Sequence, residues 1–319
     1  MYKSKFAHDM EEMVRVLRNG GLQITYIEFF LRDFDRFCLE RYPNEALLSD
    51  SIAEEWIHNT DSKSQCHMSR RVRTMAHLGE YQQSLGKNAY VPGYRIPYAK
   101  AEEPRLFNDE QLAEFFELVD TKITNTSVFP HNDVIFPVMF RMNYSCGLRS
   151  SESCNLKVED VDLIRGRLSV FRSKGFKDRE IPISDDLRAL CCRFHEAYSK
   201  ILPDRKYFFQ PSPTKEVYTS GHVGTMFDRI LKLSSFYGDN GKKFTPHGLR
   251  HLFAVQNIKK CAESGENFYN WMQYLCRYMG HKHIRYTLYY LHITSQLFPV
   301  YSSKLKELEQ QIGVVYVEE

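Results

Sequence analysis

Apolar residues recur at helical spacing along the first 95 residues of the chain. Met10, Met13, Val14 and Leu17 share one face, and a second amphipathic run from Ile24 to Leu39 carries Phe29, Phe30, Phe34 and Phe37. Two further helices are predicted over Ser51–His58 and Ser64–Leu85. The pattern breaks in GKNAYVPGYRIPYAKAEEP (86–104), whose three prolines and two glycines predict an extended connection. Asn108 then stands three residues before Gln111, the signature of a helix N-cap. Leu112, Phe115, Phe116 and Val119 follow on one face. A second domain therefore starts near residue 103. The expected division is a helical domain over 1–95, a linker over 96–104, a larger domain over 105–300 and a tail over 301–319.

The larger domain opens with helices expected near 108–120 and 131–145. Between about 160 and 184 the period changes to that of strands. Arg167–Arg172 and Arg179–Ile183 form short strand candidates joined by the turn-rich Ser-Lys-Gly-Phe-Lys-Asp. From Asp185 onward the texture is helical again. The expected fold class is mainly α, α+β rather than α/β, with a small antiparallel sheet in the mostly helical second domain. In the tail, Leu305, Leu308 and Ile312 share a helical face that ends at Gly313. That face packs either on its own domain or on a neighbouring protomer, and Val314–Val317 would add an edge strand or apolar anchor to the second arrangement.

A length of 319 residues favours two cores over one. No apolar run approaches the roughly 20 residues of a membrane helix. The first residues mix both signs of charge without an apolar secretory core, so a cytoplasmic protein with no membrane partner is expected. The eight cysteines contain no C-x-x-C pair, which argues for buried thiols rather than a zinc or disulfide framework. Net charge is only +3, but its distribution is uneven. Residues 1–62 carry twelve acidic and seven basic side chains, whereas 63–100 carry seven basic ones against Glu80 alone. That change of sign predicts a face turned toward a polyanion, with Lys63, Arg70, Arg71 and Arg73 as its candidate contacts.

Four segments of the second domain carry candidate chemistry. CGLRSSE (146–152) places Arg149 at a helix start with Glu152 one turn on. SKGFKDREIPI places Lys174 at the hairpin tip, with Lys177 beside it. TPHGLRHLF (245–253) sets His247 and Arg250 on one face of a helix opened by Thr245 and Pro246. MGHKHIRYTLYYLH (279–292) gives His281 and, nine residues later, Tyr290. Taken singly, each has an ordinary explanation: a surface ion pair, a solvated lysine, a cap, a core tyrosine. Their joint order suits metal-free attack on a phosphodiester. Guanidiniums at Arg149 and Arg250 match the charge gathered on non-bridging oxygens. A phenol can attack and leave again, Lys174 can protonate the 5′ oxygen, and His247 and His281 can bind phosphate or move a proton.

These segments, GLRSSE, SKGFKDREIP, PHGLRH and MGH followed by Tyr290, resemble the boxes of the tyrosine recombinase/integrase family of phage, Xer-type and transposon enzymes. The helical, basic first domain is similar to that family's core-binding domain, so the likeness spans about residues 10–295. The resemblance implies a site-specific recombinase working through a 3′-phosphotyrosine at Tyr290 and a Holliday junction. It implies Arg149 and Arg250 as phosphate clamp, Lys174 as general acid, and His247 and His281 as phosphate-contacting or proton-transferring groups. Glu152 would orient Arg149, and His251 would be structural. Ser153 and Asn155 depart from the family's usual small or apolar residues. The implied partners are double-stranded DNA with inverted-repeat sites and three further protomers, joined through the tail in a nucleoid-associated tetramer. No cofactor and no metal are implied. With no extra arm domain ahead of residue 10, an arm-binding integrase of the lambda type is not expected. The alternatives are a type IB topoisomerase, which shares the chemistry, and a non-catalytic DNA-binding relative.

Overall fold

The computed structural model describes residues 2–22, 24–62, 64–97, 104–171, 178–238, 243–264 and 266–290. Lys63, Lys174, Lys177 and the tail therefore lie outside the described residues. The chain divides into two compact units, Met1–Glu102 and Glu103–Glu319.

The first unit is built from α1 (Ala7–Asn19), α2 (Thr25–Arg41), α3 (Asp50–His58) and α4 (Gln65–Ser84). Serines begin two of them by accepting backbone N–H groups: Ser49 from Ile52 at 3.3 Å and Ser64 from His67 at 3.5 Å. Apart from Phe29, which is exposed, the apolar stripes read from the sequence meet in one core that holds Trp56, Phe30, Phe34, Met75 and Leu78. Gln82, fully buried, ties several segments together from inside. Gln82 donates to Asp9 at 2.6 Å and to the Ala46 carbonyl at 2.8 Å, and accepts from the Leu48 amide at 2.9 Å.

The basic cluster expected on α4 divides. Arg70 and Arg73 face solvent, but Arg71 is only 3% exposed. Its guanidinium stacks on the Trp56 ring at 3.8 Å and donates to Asp33 at 3.0 Å, to the Asn59 carbonyl at 3.2 Å and to the Trp56 carbonyl. Arg71 is an interior anchor of three helices, which corrects its place among DNA-contacting candidates. The reason is helical geometry: one step along α4 turns a side chain from water to core.

The second unit begins with α5 (Asp109–Lys122), whose Asn108–Gln111 capping box forms as read, with bonds of 2.8 and 3.2 Å. Next come α6 (Asn132–Ser145), α7 (Ser150–Cys154), β1 (Val161–Asp162), β2 (Arg167–Val170) and β3 (Arg179–Pro182). The three strands form an antiparallel sheet in chain order, with Leu168 opposite Ile181 and Val170 opposite Arg179. Then follow α8 (Asp185–Ile201), α9 (Ser220–Leu231), α10 (Pro246–Ser264) and α11 (Phe268–Tyr278), and residues 285–290 are again helical. The described fold is mainly helical with one small sheet. Fully buried α6 residues such as Phe136, Met139 and Phe140 centre the larger core. A smaller cluster joins α10 to α11 and takes in Leu288 and Tyr290. All eight cysteines are free, and burial pushes the thiols of Cys146, Cys154 and Cys191 up to about 12. No helix among the described residues is long and apolar enough to cross a membrane.

Candidate active site

The site starts from the turn between α6 and α7. Gly147 takes φ +59°, and a Cβ there would stand 2.6 Å from the Phe253 ring, so both backbone and space require glycine. The turn leaves the Gly147 carbonyl pointing at α10, where Arg250 donates to it at 2.5 Å. It also delivers Arg149 to the N-cap of α7. Glu152 reaches back to accept the Arg149 amide at 2.9 Å and its guanidinium at 2.6 Å.

Glu152 is the hub of a cluster larger than the sequence suggested. Arg179, first residue of β3, donates to both of its oxygens at 3.1 and 2.8 Å, and Arg250 lies 3.7 Å away. Burial alone would raise this carboxyl. The bonds and charge of Arg179, with help from Arg250 and the Arg149 amide, outweigh burial and hold it down to about 2. Three guanidiniums against one carboxylate leave the site strongly positive. Arg179 also donates through Nε to the Tyr278 carbonyl at 2.7 Å, tying the sheet to the end of α11.

Arg250 is 1% exposed. Besides Gly147 it donates to the Met279 carbonyl and meets His281 Nε2 at 3.3 Å. Burial, then the neighbouring Arg149 charge, lowers it to about 10, so it remains a cation at neutral pH. His281 follows Gly280, whose φ of +62° and 3.1 Å clearance from Arg179 again call for glycine. Since Arg250 can only donate, Nε2 of His281 accepts and Nδ1 carries the proton, given to Thr287 Oγ1 at 2.8 Å. Burial first, then Arg250, Arg149 and Arg179, holds this imidazole neutral, down to about 3.

Tyr290 is 3% exposed, its ring stacked on His281 with centroids 6.0 Å apart. Its hydroxyl lies 3.0 Å from Nδ1 of His251, within hydrogen-bond reach. Burial raises the phenol above its ordinary value despite the lowering influence of Arg250 and Arg149. His247 is exposed at the start of α10, its ring edge-on to His251 at 4.4 Å. Arg149, His247, Arg250, His251, His281 and Tyr290 line one open cleft of about 620 Å³, together with Lys282, Tyr286 and Tyr289.

The structure thus brings together Arg149, Glu152, His247, Arg250, His281 and Tyr290. Sequence reasoning missed three neighbours. Arg179 lies in SKGFKDREIP, where the sequence assigns it no task. His251 was read as structural, yet it holds the Tyr290 hydroxyl. Thr287 carried no signal beyond lying six residues past His281.

The profile of the phage integrase family matches residues 122–296. A protein of Sinorhizobium fredii named as an integrase/recombinase is 27% identical over 269 residues, covering 82% of this chain and 83% of its own. The tyrosine recombinase XerA of Pyrococcus furiosus is 28% identical over 239 residues, covering 74% of each. Among solved structures, a lambda integrase dimer bound to a COC′ core site has the same fold. Its TM-score is 0.63 at 16% identity, covering 89% of this chain and 76% of that one. The chain belongs to the phage integrase family: it is a tyrosine-type recombinase/integrase, an enzyme of DNA breakage and rejoining.

Proposed function

We propose that the chain is a site-specific recombinase that exchanges strands between two DNA sites through a 3′-phosphotyrosine on Tyr290 and a Holliday junction. One observation carries the reading: the Tyr290 hydroxyl lies 3.0 Å from an imidazole nitrogen in a cleft that also presents Arg149 and Arg250. The phenol oxygen attacks phosphorus as the bond to the 5′ oxygen breaks. Arg149 and Arg250 hold the non-bridging oxygens, and because Glu152 already fixes Arg149, little reorganisation is needed as charge develops. His281, neutral and pinned by Thr287, is oriented beside that clamp, and His247 stands at the solvent side. Lys174, between β2 and β3, supplies the proton to the leaving 5′ oxygen. Arg70 and Arg73, with Lys63 and Lys177, bind the duplex backbone. The substrate is double-stranded DNA with inverted-repeat sites. Four protomers assemble on it through the 301–319 tail in a nucleoid-associated complex.

The test is Tyr290→Phe. The covalent protein–DNA adduct should vanish while duplex binding stays within about twofold, since only the reacting oxygen is removed. An adduct retained in that variant would move the nucleophile to Tyr286 or Tyr289. Recombination of a two-site plasmid supports the reading, whereas efficient relaxation of a supercoiled plasmid without sites would replace it with a topoisomerase.

A further inference from the structure

We infer that His251 is the base that takes the Tyr290 proton, and that bound phosphate is what makes it basic. The inference rests on Tyr290 as nucleophile. Arg250 reaches the hydroxyl and His281 stacks on the tyrosine ring, and neither is suited to accept the proton. Arg250 can only donate. His281 has both nitrogens committed, Nε2 to Arg250 and Nδ1 to Thr287. His251 Nδ1, by contrast, lies 3.0 Å from the hydroxyl oxygen, and since Arg250 donates to that oxygen, the hydroxyl hydrogen is left to point at the imidazole. His247, three positions before Arg250 on α10, packs edge-on against the His251 ring and is itself exposed.

The charges around His251 explain why the pair is silent before DNA arrives. The groups facing it are His247 and Arg250 on α10, His281 after α11, and Tyr290 on the helical stretch 285–290. Arg149 at the start of α7 lines the same cleft. Burial first, then His247, Arg250 and His281, keeps the imidazole neutral, down to about 3. The nearby carboxylate, Glu152, is already shared among three guanidiniums. A phosphodiester adds one negative charge to this cleft, and a second develops in the pentavalent state. Those charges offset the guanidiniums and favour an imidazolium beside them.

The step balances. The Tyr290 O–H bond breaks, its proton passes to His251 Nδ1, the O–P bond forms, and the bond to the 5′ oxygen breaks as that oxygen receives a proton from the general acid. In rejoining, the 5′ hydroxyl attacks phosphorus and the departing Tyr290 oxygen recovers its proton from His251.

The experiment uses the full chain and nicked duplexes enriched from a random-sequence pool by covalent capture on the wild type. Each duplex is made with an ordinary 5′ oxygen or a bridging 5′ sulfur, which leaves without needing a proton. His251→Ala and His251→Asn are compared. The asparagine can accept the tyrosine hydrogen bond but cannot take up the proton, and it is the milder change should the alanine unfold. Both variants should trap DNA slower by a factor on the order of 10²–10⁴, with sulfur giving no rescue. The asparagine variant should speed up about tenfold per pH unit above neutrality, where the wild type is flat. Wild-type rates in either variant, or rescue by sulfur, overturn the inference. Peptide mapping separates the two levels: a wild-type adduct on another tyrosine, or none, overturns the reading of Tyr290 itself.

Discussion

Glu152 and Arg179, 27 residues apart, meet through two parallel hydrogen bonds of 3.1 and 2.8 Å. The same guanidinium holds the Tyr278 carbonyl, so one side chain at the sheet edge fixes both the turn bearing Arg149 and the helix end leading to His281. Forked geometry matters here, because a lysine offers a point charge in place of two aligned donors. Arg179→Lys should therefore lower single-turnover cleavage by a factor on the order of 10² through misplacement of Arg149. Duplex binding should change far less. Equal losses in binding and cleavage would show that Arg179 meets DNA directly.

Removing the hub itself has a larger structural cost. Glu152→Ala leaves three guanidiniums without their shared carboxylate and should destabilise the unit by about 3–5 kcal/mol in denaturant unfolding. Glu152→Gln keeps one acceptor oxygen and should fall between. A glutamine variant as unstable as the alanine one would mean that the shape of the side chain, not its charge, is what the cluster needs.

Stability should fall as the solution is acidified, in two windows. His251 and His281 are held near 3 in the fold against an ordinary 6.5, so the unfolded chain gains protons that the folded chain refuses. Their contribution is intact above about 6.5 and declines as pH falls toward 3. Glu152, at about 2 against 4.5, adds stability that is present above 4.5 and lost on the way down to 2. Replacing His281 with Gln, which preserves an acceptor for Arg250, should flatten the slope of unfolding free energy between pH 7 and 5. Superimposable slopes for variant and wild type would contradict the buried, neutral imidazole.

The two kinds of arginine on α4 should separate cleanly. Arg70→Ala with Arg73→Ala should leave the melting temperature nearly unchanged and flatten the salt dependence of DNA binding. Each lost phosphate contact removes about one unit of slope. Arg71→Ala should instead cost about 2–4 kcal/mol of stability by abandoning Asp33 and two carbonyls. An unchanged salt slope in the double variant would take this face of α4 away from DNA.

Gly147→Ala meets both a positive φ and the Phe253 ring, and should cost at least about 2 kcal/mol. Adding Phe253→Leu relieves the clash but not the backbone strain, so it should restore part of that loss. Full restoration, read by denaturant unfolding, would show that contact alone dictates the glycine.

Much of this protein follows from local rules that act within a few residues. The apolar periodicity of α1 to α4, the Asn108–Gln111 box and the glycine before Arg149 each reflect backbone geometry, hydrogen-bond satisfaction or helical phase, and all are legible along the chain. The order Arg149, His247, Arg250, His281, Tyr290 is legible too, since few chemistries need those groups together. What the sequence could not decide is which neighbours those groups find. Arg71 differs from Arg70 only by one helical step, and its burial depends on where Trp56 and Asp33 lie in other helices. Arg179 reaches Glu152, and His251 reaches Tyr290, across 27 and 39 residues of chain. Such contacts depend on how helices and sheet pack, where a fraction of an ångström makes or loses a hydrogen bond. Residue order alone thus determined which chemical groups this protein gathers in its cleft. Tertiary packing decided which of them is buried, which is neutral, and which one lies against the tyrosine hydroxyl.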